Sequence, residues 1–477
     1  MVEVIKDANR KVVDKASVDK NLTRQTIRLA FPAIMEMLMQ TLLGFADMAM
    51  VGSLGASAIA AIGISDMPIM TALTFFAAIS VGTTALVARF IGAKDIKKAN
   101  DVAKQALIIS LILAVFFSLL GQLLAKKVVV LMGAKADVIS QATEYFKIVS
   151  LSFPFMIIGI IMSGVFRGTG DTKTPMYVNG ISNIINIVGN FFLIYHTRII
   201  DLSIPVINKS IFIKIPGAGL EVSGAAISTA FARSFAGLLI FLIIIKGKGK
   251  LKVNIKENNK IDFQIIKRIF NIGIPAAIEQ FFMRFGQLLF FRIVTSLGTT
   301  MIAAHRITLT AESISFMPGF GFALAATTLV GQYLGAENPK LAQKSGYIAV
   351  KMASIVMGIF GLFFFIWPDI FLMIFTRDKE ILDSARWCLR IVAISQPFLA
   401  GVMGFAGGLR GAGDTKWVLI ITFTGIWGIR LTLAYLFVIV LNFGLIGAWI
   451  AMSIDLIIRG LLLFIRFRSG RWKSIQV

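Results

Sequence analysis

The apolar positions of this chain come in long unbroken runs rather than in the spaced stripes of a soluble helix. LIISLILAVFFSLLGQLLA at 107–125 is one of them. A run of that length crosses a hydrocarbon layer of ~30 Å as a helix. Inside lipid its backbone groups must be satisfied within the segment, which a helix does. Some twelve such runs follow one another, centred near residues 36, 76, 112, 155, 185, 236, 281, 320, 358, 398, 428 and 455. The pattern predicts an all-α polytopic membrane protein with twelve transmembrane helices. One stretch breaks it: SIPVINKSIFIKIP at 203–216 alternates, which predicts a hairpin on the outer face.

The polar punctuation repeats. FRGTGDTK at 166–173 returns as LRGAGDTK at 409–416, an offset of 243 residues. The same offset carries Pro32 to Pro275, Glu36 to Glu279, VGSLG (51–55) to VTSLG (294–298), FIGAKD (90–95) to YLGAEN (333–338) and Pro154 to Pro397. No gap is needed from residue 32 to residue 173. A register held so long marks a duplicated six-helix unit. An even number of spans separates the copies, so the halves are parallel repeats related by an axis along the membrane normal. The expected organisation is an N-terminal segment (1–25), an N-lobe (26–246), a linker (247–267), a C-lobe (268–465) and a tail (466–477). The N-lobe carries about twenty extra residues, since Gly168 to Gly224 spans 56 positions and Gly411 to Gly447 spans 36. In the RGxGDTK phrase the glycines permit tight turns, and Asp with Thr can cap the next helix; its expected role is structural.

Composition agrees with the pattern, at 57% hydrophobic residues and a mean hydropathy of +0.83. The net charge of +23 does not indicate a nucleic-acid binder, because the basic residues lie in short loops between apolar runs. The N-terminal stretch through Arg28, the tail and the loops near 89–104, 167–173, 246–268, 335–351 and 410–416 hold 31 Lys and Arg; the loops on the other side hold 11. The positive-inside rule then places both termini in the cytoplasm. Residues 1–25 are polar, so no cleavable signal peptide is expected. The single cysteine, Cys388, forms no internal disulfide. There is no GxxxxGK[ST] loop, no cofactor motif and no Cys/His metal-ligand cluster. The chain is therefore not read as an enzyme, and uphill transport would draw on an ion gradient.

Ionisable residues inside membrane helices are costly and become functional candidates. In the first helix Glu36, Gln40 and Asp47 lie at i, i+4 and i+11, and eleven steps return to within ~20° of the start. They predict one polar stripe facing a wet cavity. In the seventh helix Glu279 follows Pro275 as Glu36 follows Pro32, with Gln280, Arg284 and Gln287 on an adjacent face. In the fifth helix Asn183, Asn186 and Asn190 recur near helical spacing, as ligands for a cation, a proton network or glue between helices. Arg430 and the Asp455–Arg459 pair read as structural ion pairs. His196 and His305, near predicted helix ends, are assigned no chemistry. Some of the 40 Phe and 20 Met residues can line an adaptable pocket.

Together, QTLLGFADMAMVGSLGASAIAA (40–61), the two RGxGDTK loops, AAHRI (303–307), FMPGFGFALAATTLVGQYLGA (316–336) and IPAAIEQ (274–280) resemble the multidrug and toxic compound extrusion (MATE) family over roughly residues 25–465. The resemblance implies two V-shaped lobes in the cell inner membrane. It implies rocker-switch export of cationic amphipathic drugs in exchange for Na⁺ or H⁺, by a chain expected to work as a monomer. Asp47 matches the family's first-helix acid, where Na⁺ could bind transiently. Asn186 and Asn190 match the fifth-helix positions that complete that N-lobe site, and Glu279 matches the seventh-helix Glu of the NorM-like branch. That branch also has a tenth-helix acid, whereas the segment 391–409 here has no carboxylate. Coupling is therefore expected through Asp47, with Glu36, Asn186 and Asn190 around it and Glu279, Gln280, Arg284 and Gln287 serving the C-lobe. A lipid or lipid-linked oligosaccharide flippase of the same superfamily is the alternative; a non-transporting membrane scaffold is a third reading, against which the cavity carboxylates and the duplication argue.

Overall fold

The computed structural model describes residues 2–204, 209–247, 251–253 and 261–475. Helices α1 (Val2–Gly52), α2 (Ala56–Gly92), α3 (Ile96–Leu131), α4 (Ile139–Leu151), α5 (Phe153–Thr169) and α6 (Lys173–Leu193) come first. Strands β1 (His196–Ile204) and β2 (Lys209–Ala218) follow, then α7 (Glu221–Lys246). The second half holds α8 (Phe263–Thr295), α9 (Thr299–Gly335), α10 (Pro339–Ile366), α11 (Pro368–Leu372), α12 (Lys379–Gly411), α13 (Thr415–Phe423), α14 (Leu431–Tyr435) and α15 (Gly444–Arg468). Among the described residues nine helices are long and apolar enough to cross a membrane, or ten when α4 and α5, bent by 54°, count as one span. The twelve-span reading is consistent with this, because α6 and α8 are the two that fall short in hydropathy. They fall short because they carry the asparagine row and the Glu279–Gln287 polar stretch.

The alternating stretch forms an antiparallel hairpin, β1 on β2, with Ile199 opposite Lys214 and Ser203 opposite Ser210. Its turn, 205–208, lies outside the described residues, as do 248–250 and 254–260 of the expected linker.

The repeat is visible atom by atom. Thr84 Oγ1 donates to the Gly164 carbonyl at 2.9 Å, and its mate Thr327 donates to Gly407 at 2.8 Å. Asp95 caps α3 by accepting from the Lys98 amide, and Asn338 caps α10 by accepting from Leu341, both at 3.0 Å. The capping amide holds the Asp95 carboxyl below the usual carboxylate range. In the first RGxGDTK loop Asp171 accepts from the Lys173 and Thr174 amides, which starts α6.

Copies also differ. The fourth span is broken at Ser152 in the N-lobe, whereas α12 runs through its own proline, Pro397. The eleventh span winds as a π-helix over Thr424–Arg430 and Leu436–Val440, where the N-lobe copy, α6, is regular. Gly425 sits in that π-turn because a Cβ there would strike the Arg459 and Asp455 side chains.

Where the lobes meet, small residues let backbones touch. Gly82 of α2 faces the Ile269 carbonyl of α8, and Gly321 of α9 faces Ala30 and Ile34 of α1. Gly92 lies on Gln332 and Gly335 on Arg89, each pair the repeat mate of the other. Polar contacts join the same end: Tyr333 donates to Gln25 at 2.8 Å, Lys344 pairs with Asp19 at 2.7 Å, and Gln332 donates to the Gly168 carbonyl at 2.9 Å. This is the end where α2 and α9 finish, where α8 begins and where α1 passes through Asp19–Ile34, so the halves run in the same direction. It also bears both RGxGDTK loops.

Candidate functional site

Toward the hairpin end the lobes part. The α8 stripe that touches α2 through Ile269 and Gly273 continues, at helical spacing, into Gln280, Arg284 and Gln287. Arg284 and Gln287 are exposed and Gln280 is half-buried. The α9 stripe that meets α1 at Gly321 continues into Met317, which receives the Thr41 hydroxyl at 3.9 Å, and then into the exposed Arg306. Facing stripes that pack at one end and are bare at the other enclose a cleft, closed at the loop end and open at the hairpin end. Met48 and Met67 stand 70% and 63% exposed beside it.

Asp47 lies on the N-lobe side, half-buried in α1. Asn190 Nδ2, from α6, donates to its Oδ1 at 2.6 Å. Asn190 also donates to Asn186 Oδ1 at 3.3 Å, and Asn186 Nδ2 donates to Thr229 Oγ1 of α7 at 3.1 Å. The Asn186 amide also fits the other way round. Turned over, its nitrogen lies 2.8 Å from Asp47 Oδ1 and its oxygen accepts from Thr229. Asn190 Oδ1 is buried with no hydrogen-bond partner. A carboxylate flanked by an idle amide oxygen and a second amide that can present oxygen or nitrogen suits a hard cation or a shared proton. Arg233 of α7 and Asp66 of α2 are close enough to act on the Asp47 charge. Tyr145 of α4 reaches Asp66 at 3.5 Å.

Glu36 does not join this cluster. Arg167 Nη2 donates to it at 2.9 Å and Asn179 Nδ2 at 2.6 Å, with the carboxylate almost wholly buried. The expectation of one stripe from Glu36 through Gln40 to Asp47 facing a single wet site is corrected: the RGxGDTK arginine claims Glu36, and Gln40 is left exposed. Glu279 is placed alike. Arg410, from the second RGxGDTK loop, donates to both its oxygens at 2.7 and 2.9 Å, and Thr422, the mate of Asn179, donates at 3.1 Å. Glu279 is 3% exposed and turned away from Gln280, Arg284 and Gln287, so these four do not form one C-lobe site. The duplicated phrase thus supplies each lobe with an arginine that neutralises the glutamate after the helix proline.

Asn183 keeps a buried, unpartnered Nδ2 off the cluster. Arg430 and Arg459 both bind Asp455, at 2.8 and 2.7 Å, the structural ion pairs expected. Residues not singled out from the sequence are Asp66, Tyr145, Thr229 and Arg233 around Asp47, and Glu312, buried in α9 beside Gln396 and Arg430. Asp66, Arg233 and Glu312 carried the signal that identified Asp47, an ionisable group in an apolar run.

A model of the MatE family matches the chain twice, over residues 32–192 and 275–436. The two matches begin 243 residues apart, the offset of the repeat. The chain is 33% identical over 461 residues to a protein of Thermotoga maritima named probable multidrug resistance protein NorM, covering 96% of this chain and 94% of that one. It is 29% identical over 472 residues to the uncharacterized transporter YisQ of Bacillus subtilis, covering 96% of each. A solved structure described as the outward-facing conformation of a multidrug resistance MATE family transporter of the MOP superfamily superposes with a TM-score of 0.84 at 24% identity, covering 94% of this chain and 95% of that one. This last likeness is one of fold.

Proposed function

The chain belongs to the MatE family, and from that premise we propose that this multi-pass membrane protein exports amphipathic organic cations in exchange for H⁺ or Na⁺. The observation that carries the proposal is Asp47, held by Asn190 in the wall of a cleft that is closed at one end and open at the other. The basic, loop-bearing end is cytoplasmic, so the cleft opens outward. An ion from outside reaches Asp47, uses the idle Asn190 oxygen, and displaces a cationic cargo from the same wall. The lobes then rock: the glycine contacts between α2, α8 and α9 part, and the hairpin end closes. Asp47 with Asn186, Asn190 and Thr229 forms the coupling site. Glu36 and Glu279 hold each lobe together through their arginines and take no part in ion exchange.

The test is efflux of a fluorescent organic cation from proteoliposomes under imposed Na⁺ or pH gradients. Export driven by one of them, and lost when that gradient collapses, is the expected result. Dye retention under both gradients, with correctly inserted protein, would overturn the reading.

A further inference from the structure

We infer that the C-lobe wall of the cleft is an anion-binding surface, so that the preferred cargo carries an anionic group, such as a carboxylate, in addition to its cationic amphipathic body. The inference rests on the export reading above and names the cargo more narrowly.

Two guanidiniums support it. Arg284 is exposed on the α8 stripe that faces the N-lobe, and Arg306 is exposed on the α9 stripe that does the same. The Arg306 guanidinium sits 5.4 Å from the centre of the Phe291 ring. Phe291 lies seven residues beyond Arg284 on the same face, so the two cations stand ~10 Å apart along one wall. Among the described residues neither has a carboxylate partner. Four other arginines inside the spans are tied to carboxylates, Arg167 to Glu36, Arg410 to Glu279, and Arg430 and Arg459 to Asp455, while Arg233 of the N-lobe lies near Asp47 and Asp66.

The repeat shows that this charge belongs to one lobe. The N-lobe mates of Arg284 and Arg306 are Thr41 and Gly63, and a Cβ on Gly63 would meet open space. The C-lobe mate of Asp47 is Phe290. Mates of parallel repeats lie at one depth, so Arg306, over Phe291, stands level with Asp47 across the cleft. One wall offers an acid and the other two unpaired guanidiniums, with an aromatic face beneath one of them. Guanidiniums bind carboxylate, sulfonate or phosphate oxygens through paired N–H donors. A cargo with one positive and one negative group on an apolar body satisfies both walls, whereas a simple cation leaves the arginine wall unmatched.

The experiment uses a rhodamine with a free carboxylate and its methyl ester, which share the cationic ring system. Binding to the detergent-solubilised full chain is followed by fluorescence anisotropy, and efflux is measured separately in proteoliposomes. The carboxylate dye should bind more tightly than the ester. The Arg284→Gln, Arg306→Gln double variant should weaken the carboxylate dye by about tenfold, the size of a lost charge-assisted hydrogen bond, and leave the ester unchanged. The corresponding double lysine variant should recover part of the loss. Equal weakening of both dyes, no weakening of either, or preference for the ester would overturn the inference. So would displacement of the carboxylate dye by titrated phosphatidylglycerol with the same arginine dependence, since the wall would then hold lipid headgroups. Because binding is read without a gradient, failure of efflux alone would count against the export reading and not against the anion surface.

Discussion

The two lobes descend from one six-helix unit, and what each has kept differs from what each has changed. Kept in both are the glutamate after the helix proline, the RGxGDTK arginine that neutralises it, the threonine bonded across to a glycine carbonyl, and the side-chain caps of α3 and α10. Changed is the chemistry of the cleft and of the lobe interior. The N-lobe has Asp47 among amides. The C-lobe has Phe290 in its place, with the Arg430 guanidinium 5.8 Å from that ring and bound to Asp455. Shared features build a lobe and unshared ones give it work. Beside Phe290 the C-lobe has an arginine tied to Asp455, where the N-lobe has an acid that accepts from an amide.

The largest test of that contrast is Asp47→Asn. It preserves shape and removes charge, so gradient-driven efflux should be abolished while the protein still inserts. The reciprocal change at the mate, Phe290→Asn, should leave efflux coupled, because no exchangeable charge resides there. If Asp47→Asn transports normally and Glu279→Gln is inactive at unchanged stability, coupling resides in the C-lobe and the contrast is reversed.

A smaller effect should distinguish scaffold from site. Removing one partner of a buried ion pair leaves an uncompensated charge and costs about 3–5 kcal/mol. Arg167→Ala and Arg410→Ala should therefore destabilise the solubilised protein by similar amounts in chemical unfolding. The paired replacement Glu279→Gln, Arg410→Gln should recover most of the loss. Two lobes that respond very differently would show that one glutamate does more than brace its lobe.

Much of this was legible in the sequence, and the exceptions have physical causes. The spans, the repeat and the hairpin follow from periodicity, Asp47 stands out as an acid in an apolar run, and its pairing with Asn190 was what the family resemblance implied. Glu36 was misleading because helical spacing fixes only which face a side chain occupies. Arg167, 131 residues away in sequence, decides what that face meets. Glu279 is paired in the same way by Arg410, and the repeat carries the reason: a residue kept in both copies answers a need of both. Asp66 and Glu312 give a weaker signal because neither belongs to a stripe of polar residues. The π-helical winding of the eleventh span had no signal, since it depends on the Asp455–Arg459 pair lodged against Gly425.

The next effect is smaller and should be equal on both sides. Thr84→Val and Thr327→Val each remove one buried hydroxyl donor to a glycine carbonyl, which costs about 1 kcal/mol. Unequal losses in unfolding would mean that the lobes do not share this joint equally.

The smallest effect is expected where the lobes differ most in length. The N-lobe hairpin has no counterpart in the C-lobe, yet its base is closed without it. The Gly219 amide donates to the Tyr195 carbonyl at 2.9 Å, Leu220 to Leu193 at 2.9 Å and Glu221 to Ile194 at 3.1 Å. The Arg198 guanidinium stacks 4.2 Å from the Tyr195 ring and 4.4 Å from the Phe191 ring, which fixes the first strand at its root. Chain ends already tied together make a short replacement loop entropically cheap. Replacing 199–215 by a short glycine-serine turn should therefore shift stability by no more than about 0.5 kcal/mol, as for a surface change away from packed features. Efflux should be unaltered, because the cleft residues lie on α1, α2, α8 and α9. Normal expression and stability with lost efflux would make the hairpin part of the transport cycle, and the unequal length of the lobes would then be functional as well as their unequal charge.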